Sequence, residues 1–130
     1  VIDGTFTLWM GAGALQGEGN PGAPAYARMI QRLHEAGVTF SIGTDNTQGS
    51  TFVTELELHE FSGIPSAEVL SMATLGAARI MGMDQDFGAV EPGMVADLVL
   101  LDGDPRVDLS ALDRVRWVMR GGVPVYGTVR

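Results

Sequence analysis

The spacing of apolar residues changes once along this chain, near Gly82, and this change limits the possible folds more than any other feature. Before Gly82, two short apolar stretches, Phe6–Met10 and Val38–Ile42, flank a segment with helical spacing. After Gly82, short apolar stretches alternate with turn residues, as in antiparallel strands. The sequence therefore predicts an α/β segment over 1–82 and a β-rich segment over 83–130.

Three helices are predicted in the first segment, each with recognisable ends. Gly37, Gly63 and Gly82 follow the last helical positions, where glycine readily takes the left-handed conformation that ends a helix. Ser66 precedes an apolar run, so its hydroxyl is predicted to cap the third helix. The predicted helices are Pro24–Glu35, Thr54–Phe61 and Ser66–Met81. Together with the two strands, they predict a βαβ unit followed by a helical hairpin.

The second segment is predicted to contain three strands. Two of them, Arg114–Arg120 and Val123–Tyr126, are separated by Gly121–Gly122, a pair typical of a two-residue hairpin turn. The third, Met94–Leu101, precedes them. Pro124 cannot donate a backbone hydrogen bond, so the last strand is predicted to lie at a sheet edge.

Composition excludes several classes of function. The net charge is −8, and an acidic surface repels phosphate backbones and anionic lipids, so we expect neither a nucleic-acid nor a membrane partner. No apolar run approaches the roughly 18 residues of a membrane span. The chain has no Cys, which excludes disulfides and thiolate sites and fits the cytoplasm. It begins without Met or a signal sequence, so we expect it to be part of a longer protein.

Asp45 is the first candidate for a functional residue. It follows the apolar stretch Val38–Ile42, directly after Gly43 and Thr44. In α/β barrels the carboxyl ends of the strands hold the active site, and a carboxylate there can bind a cation or move a proton. The same position also suits a turn residue or the cap of the next helix, and spacing alone leaves both interpretations open.

The two histidines, His34 and His59, fall inside predicted helices and far apart in the sequence. Neither belongs to a His-x-His or His-Glu-x-x-His motif, so a surface or packing role is the prediction for both. Glu55, Glu57 and Glu60 share a short helix with His59. Their default interpretation is a solvated face, although Glu55 is close enough in sequence to Asp45 to line the same opening.

Four ordered segments resemble the amidohydrolase superfamily, in particular the branch of imidazolonepropionases and Xaa-Pro or Xaa-Arg dipeptidases. Gly43–Asp45 resembles the end of the eighth barrel strand, and Thr54–Leu58 the helix after it. Ala67–Ala78 is similar to the helix that follows, and Gly88–Val99 to the entry into the small β domain. The ending Val118–Gly122 also fits.

The resemblance implies both a fold and a chemistry. This chain would be the C-terminal part of a (β/α)8 TIM barrel over 1–82 and the last strands of a small β-sandwich over 83–130. The intact protein would be a metal-dependent hydrolase of carbon–nitrogen bonds in small molecules, with one or two divalent metal ions, zinc above all. Asp45 would bind the metal, take a proton from the attacking water and pass it to the leaving nitrogen.

The chain departs from the family pattern in its other metal ligands. The His-x-His, the two later His and the bridging Lys of the family have no counterpart, and the sequence contains no Lys at all. One carboxylate cannot complete a four-coordinate zinc site. We therefore expect the remaining ligands to come from outside this sequence and the isolated chain to be inactive. Part of a barrel also leaves strand edges and an apolar interior exposed, so we expect the protein to form a homo-oligomer.

Two other interpretations stay open at this level. Related barrels vary their chemistry through their loops, so a phosphoester or a lactone could replace the amide. The chain could also be a non-catalytic fragment or assembly module without activity of its own.

Overall fold

A computed structural model of the chain describes residues 2–4, 23–44 and 49–128, with the backbone alone for 2–4, 23 and 49–51. Its strands are β1 (Ile2–Gly4), β2 (Phe40–Ile42), β3 (Leu98–Leu101), β4 (Val115–Arg120) and β5 (Val123–Gly127). Its α-helices are α1 (Ala23–Glu35), α2 (Gly49–Phe61), α3 (Ser66–Ala73) and α4 (Leu75–Met81), and a 3₁₀ helix covers Leu109–Asp113. Helices and strands therefore mix before Gly82, and strands dominate after it.

The first segment contains a parallel strand pair with a helix between its strands in sequence. β1 and β2 pair in parallel, with Ile2 opposite Phe40 and Gly4 opposite Ile42. Parallel neighbours need a crossover connection, and α1 lies between these two in sequence. The first strand lies at Ile2–Gly4, and the predicted strand Phe6–Met10 lies outside the described residues.

α1 ends as the sequence predicts. Gly37 has φ 76°, and its N–H donates to the His34 carbonyl at 2.9 Å. The N–H of Val38 donates to the Leu33 carbonyl at 3.0 Å, which completes a Schellman motif. The chain therefore turns sharply from α1 into β2.

The single helix predicted over Ser66–Met81 is wrong, because the helix breaks at Thr74. Thr74 has φ −126° and ψ −101°, and its hydroxyl donates to the Leu70 carbonyl at 2.7 Å. After the break the chain approaches itself closely: a Cβ added at Gly76 would lie 2.8 Å from the Ser71 carbonyl oxygen. The residue type at 76 is thus dictated by a backbone contact that helical spacing does not reveal.

The predicted cap at Ser66 is also wrong. Pro65, with φ −60° and ψ 139°, occupies the capping position, and no side chain caps α3. Its carbonyl accepts from the N–H groups of Glu68 and Val69. The Ser66 hydroxyl instead donates to the Glu60 carboxylate, which ties α3 to the end of α2.

The second segment forms an antiparallel sheet with β4 between β3 and β5. Gly121 and Gly122 have φ 55° and 81°, so the predicted hairpin turn is confirmed. Pro124 lies in the edge strand β5, as predicted. β3 begins at Leu98 rather than Met94.

The main core lies in the first segment, and the 3₁₀ helix of the second segment joins it. Leu109 of the 3₁₀ helix is fully buried together with core residues of the first segment. Asp108 caps this helix by accepting from the Ser110 N–H at 3.0 Å and from its hydroxyl at 2.8 Å. The other core residues are Ile30, Phe40, Ile42, Leu56, Ile64 and Val69.

Candidate active-site region

The candidate site begins where β2 ends. β2 ends at Ile42, and the half-buried residues Gly43 and Thr44 follow it. Because β1 runs parallel to β2, the carboxyl ends of both strands meet at the same sheet edge. Asp45 comes next but lies outside the described residues, so its assignment to the site stays a prediction.

The helix after this connection carries two fully buried ionisable side chains. Glu55 and His59 of α2 both have 0% of their surface exposed. Nδ1 of His59 lies 2.9 Å from the backbone carbonyl oxygen of Glu55 and 3.9 Å from its carboxylate oxygen Oε1. Each of the two residues also makes at least one further interaction. The solvated face predicted for Glu55 is therefore wrong.

His59 takes the packing role that was one of its two predicted roles, and it packs on the strand that leads to Asp45. Its ring meets the ring of Phe40 edge to face, with centroids 5.9 Å apart and planes at 81°. Phe40 is the first residue of β2. Spacing could not reveal this burial, because α2 has apolar and charged residues around its whole circumference.

Glu57 faces the 3₁₀ helix from the other side of α2. Partial burial raises the pKa of its carboxyl group, and the negative charges of Asp113, Glu60 and Asp108 raise that pKa further. This acidic group lies where the two segments of the chain meet. Its negative charge repels the negative charges of Asp113 and Asp108 there.

His34 lies at the opposite end of β2. It is in the last turn of α1, as predicted, and its Nε2 is 2.8 Å from Glu68 Oε1. Both side chains line an open cavity of about 290 Å³ together with Val38 and Thr39, which precede β2. The structure therefore separates His34 from the strand end that leads to Asp45.

The part of the chain that the structure describes does not hold a metal site. Within 2–4, 23–44 and 49–128, no three His, Asp or Glu side chains come together in a way that could bind a metal ion. His59 Nδ1 is engaged by a backbone carbonyl, and His34 by a carboxylate. Asp45 lies outside these ranges, and its role as a metal ligand stays a prediction.

Comparison with known proteins identifies the family to which the chain belongs. Residues 23–125 match the amidohydrolase family, and the chain belongs to that family. Its α/β fold is shared with the crystal structure of a Xaa-Pro dipeptidase with bound methionine in the active site. The TM-score is 0.74 and the identity 27%, over 80% of this chain and 26% of that one.

Two curated relatives illustrate the range of the family. The chain is 40% identical to an imidazolonepropionase of Legionella pneumophila (strain Corby) over 76 residues, which are 55% of this chain and 19% of the relative. It is 36% identical to a 5-methylthioadenosine/S-adenosylhomocysteine deaminase of Pelotomaculum thermopropionicum (strain DSM 13744 / JCM 10971 / SI) over 85 residues, which are 56% and 19% of the two chains. The chain thus spans about a fifth of the length of these relatives. None of the described helices is long and apolar enough to cross a membrane.

Proposed function

We propose that the intact protein is a metal-dependent hydrolase that cleaves a carbon–nitrogen bond in a small molecule, such as an amide, a cyclic amide or a dipeptide. The observation that carries this proposal is the family match over residues 23–125. The names of the relatives, an imidazolonepropionase, a deaminase and a Xaa-Pro dipeptidase, support the bond type.

Asp45 is the proposed catalytic residue and metal ligand of this chain. It follows the carboxyl end of β2 by three positions, which suits a group at the strand-end site of an α/β barrel. Its carboxylate accepts the proton of the attacking water and then donates it to the leaving nitrogen. Holding these groups in place supplies much of the rate, since well-oriented groups react far faster than free ones.

A divalent metal, with zinc as our proposal, would polarise the substrate carbonyl and lower the pKa of water to about 7 when bound. Asp45 supplies one ligand, and we propose that the others lie outside this sequence. The 130-residue chain is then inactive by itself. The chain is thus an incomplete part of the enzyme.

The wider context is also a proposal. Residues 1–82 form the end of a (β/α)8 barrel, and residues 83–130 the last strands of a small β-sandwich. The protein is a cytoplasmic homo-oligomer that acts on small molecules, without a nucleic-acid or membrane partner. The net charge of −8 supports the last point.

The test is Asp45→Asn in the intact protein with zinc supplied, assayed on a panel of Xaa-Pro dipeptides and cyclic amides. We expect turnover to fall by a factor of at least about 10² while the melting temperature stays within a few degrees, because the amide cannot carry the proton. Asn46→Ala is the matched control, since it changes the neighbouring side chain. Near-normal turnover in Asp45→Asn would exclude the catalytic role.

A further inference from the structure

The two faces of the sheet β3–β4–β5 differ in composition. β3 and β4 pair in antiparallel register, with Leu98 opposite Met119 and Leu100 opposite Trp117. Residues directly opposite each other project from the same side of a sheet, and successive residues of a strand project from opposite sides. Leu98, Leu100, Trp117 and Met119 therefore form one continuous surface, which we call the apolar face.

The opposite face carries a charge and is open to solvent. Val99 lies opposite Val118, which in turn lies opposite Tyr126 of β5, and Arg120 projects from the same side. Val99 is 57% exposed and Tyr126 60% exposed, and Arg120 is exposed as well. Because a guanidinium group is costly to bury without a partner, this side of the sheet suits contact with water.

The described residues cover the apolar face only in part. Leu98, Trp117 and Met119 are half-buried, and Leu100 is 42% exposed. These four side chains bring no charge, and the indole N–H of Trp117 is their only strong hydrogen-bonding group. A sheet face of this kind is stable when a second layer of structure packs on it.

The composition of the apolar face also indicates what kind of surface covers it. Contacts between separately folded proteins carry about one hydrogen bond per 100–200 Å², whereas permanent contacts resemble a domain core cut in half. The apolar face fits the second kind. A covering layer is available outside these residues, because the chain covers 26% of the Xaa-Pro dipeptidase chain that shares its fold.

We propose that the apolar face docks against a second sheet contributed by the part of the intact protein outside these 130 residues. The occupant is an uncharged, apolar sheet face at about 10 Å, the usual distance between stacked sheets. This inference rests on the proposed function in one respect, namely that the chain belongs to a longer enzyme. It specifies which side of the sheet the remainder of that enzyme covers.

The experiment compares Leu100→Cys with Val99→Cys in the intact protein. The two positions are neighbours in β3, project to opposite faces and are 42% and 57% exposed, so their exposure in this chain predicts similar reactivity. The sequence has no Cys, so a label on the β3 peptide comes from the new thiol. The rate of labelling by a thiol reagent is measured by mass spectrometry of that peptide at several protein concentrations.

We expect the thiol at position 100 to react at least about 100-fold more slowly than the thiol at position 99, because it becomes accessible only when the two layers open. The ratio should not depend on protein concentration, since the covering sheet belongs to the same molecule. Leu100→Lys should lower the melting temperature of the intact protein by roughly 5–10 °C, because its charge enters an apolar contact. Val99→Lys should stay within about 2 °C of the parent.

Equal labelling rates at the two positions would overturn the proposal, because the apolar face would then be open or bind a separate protein. A ratio that falls on dilution would also overturn it, because a second copy of the protein would then be the occupant. If Leu100→Lys does not fold, the labelling rates decide alone. Failure of the proposed function is distinguishable, because normal turnover in Asp45→Asn would exclude that function and leave the labelling result unchanged.

Discussion

The layer around β2 and the three-stranded sheet β3–β4–β5 are both rich in apolar residues, but only the first buries them fully. Ile30, Phe40 and Val69 are almost inaccessible, whereas every residue of β5 is exposed, including Val123 at 62%. The difference shows that strand pattern alone does not create a core. A sheet needs a second layer to cover it, and the described residues bring only the 3₁₀ helix from this segment into a core.

Leu109→Ala tests this contrast with the largest expected effect. Leu109 is fully buried, so its truncation should destabilise the chain by about 2–5 kcal/mol, measured by denaturant unfolding. Val123→Ala in β5 is the control and should cost less than about 0.5 kcal/mol. Equal losses of stability in the two variants would contradict the difference in burial between the two regions. If Val123→Ala becomes costly only in the intact protein, then something outside this chain covers the sheet there.

Gly76→Ala should change the stability of the chain by an intermediate amount. Whether the variant is more or less stable than the parent tests the break at Thr74. In a continuous helix over Ser66–Met81, alanine would stabilise the protein by about 1 kcal/mol. In the broken helix, the new Cβ lies 2.8 Å from the Ser71 carbonyl oxygen, so we expect a loss of about 1–3 kcal/mol. Thermal unfolding of the variant beside the parent chain measures the sign. A gain in melting temperature would contradict the break at Thr74.

Glu57→Gln has the smallest expected effect and concerns the contact between the two segments. The pKa of Glu57 is raised above its ordinary 4.5, so the folded state binds the proton more tightly than the unfolded state. The resulting stabilisation is complete below pH 4.5 and is lost as the pH rises through the folded-state pKa. At pH 7 the substitution should therefore stabilise the chain, by a few tenths of a kcal/mol, as for other surface like-charge pairs.

The control for this variant is Glu91→Gln, which removes an exposed carboxylate elsewhere. Melting temperatures at pH 4 and pH 7 and at two salt concentrations measure the effect, which should shrink at pH 4 and in high salt. Equal gains from both variants would indicate net charge as the cause. That result would exclude a specific repulsion between Glu57 and the acidic residues at the 3₁₀ helix.

Several features of the fold were predictable because they depend on short stretches of chain. Gly37 and Gly82 end helices, and Gly121–Gly122 makes the hairpin turn, because each supplies a positive φ that neighbouring residues do not favour. The apolar face of α1 follows from the spacing of Ile30 and Leu33. The order of short motifs likewise indicated the family before any geometry was available.

Other features depend on contacts between distant segments, and spacing did not predict them. The break at Thr74 depends on the close approach of Gly76 to Ser71. The burial of Glu55 depends on how α2 packs, because a helix with charges on every side has no preferred buried face. Asp45 stays a prediction from sequence and family.

The sequence by itself determined the kinds of element, most of their ends, the family and the candidate Asp45, because these depend on local backbone preferences and on short ordered motifs. Only the tertiary structure decided that His59 lies in the core against Phe40 and that Leu109 joins the same core from the second segment. The physical reason is that burial belongs to the packing of several segments at once. Residues far apart in the chain must meet before either is removed from water.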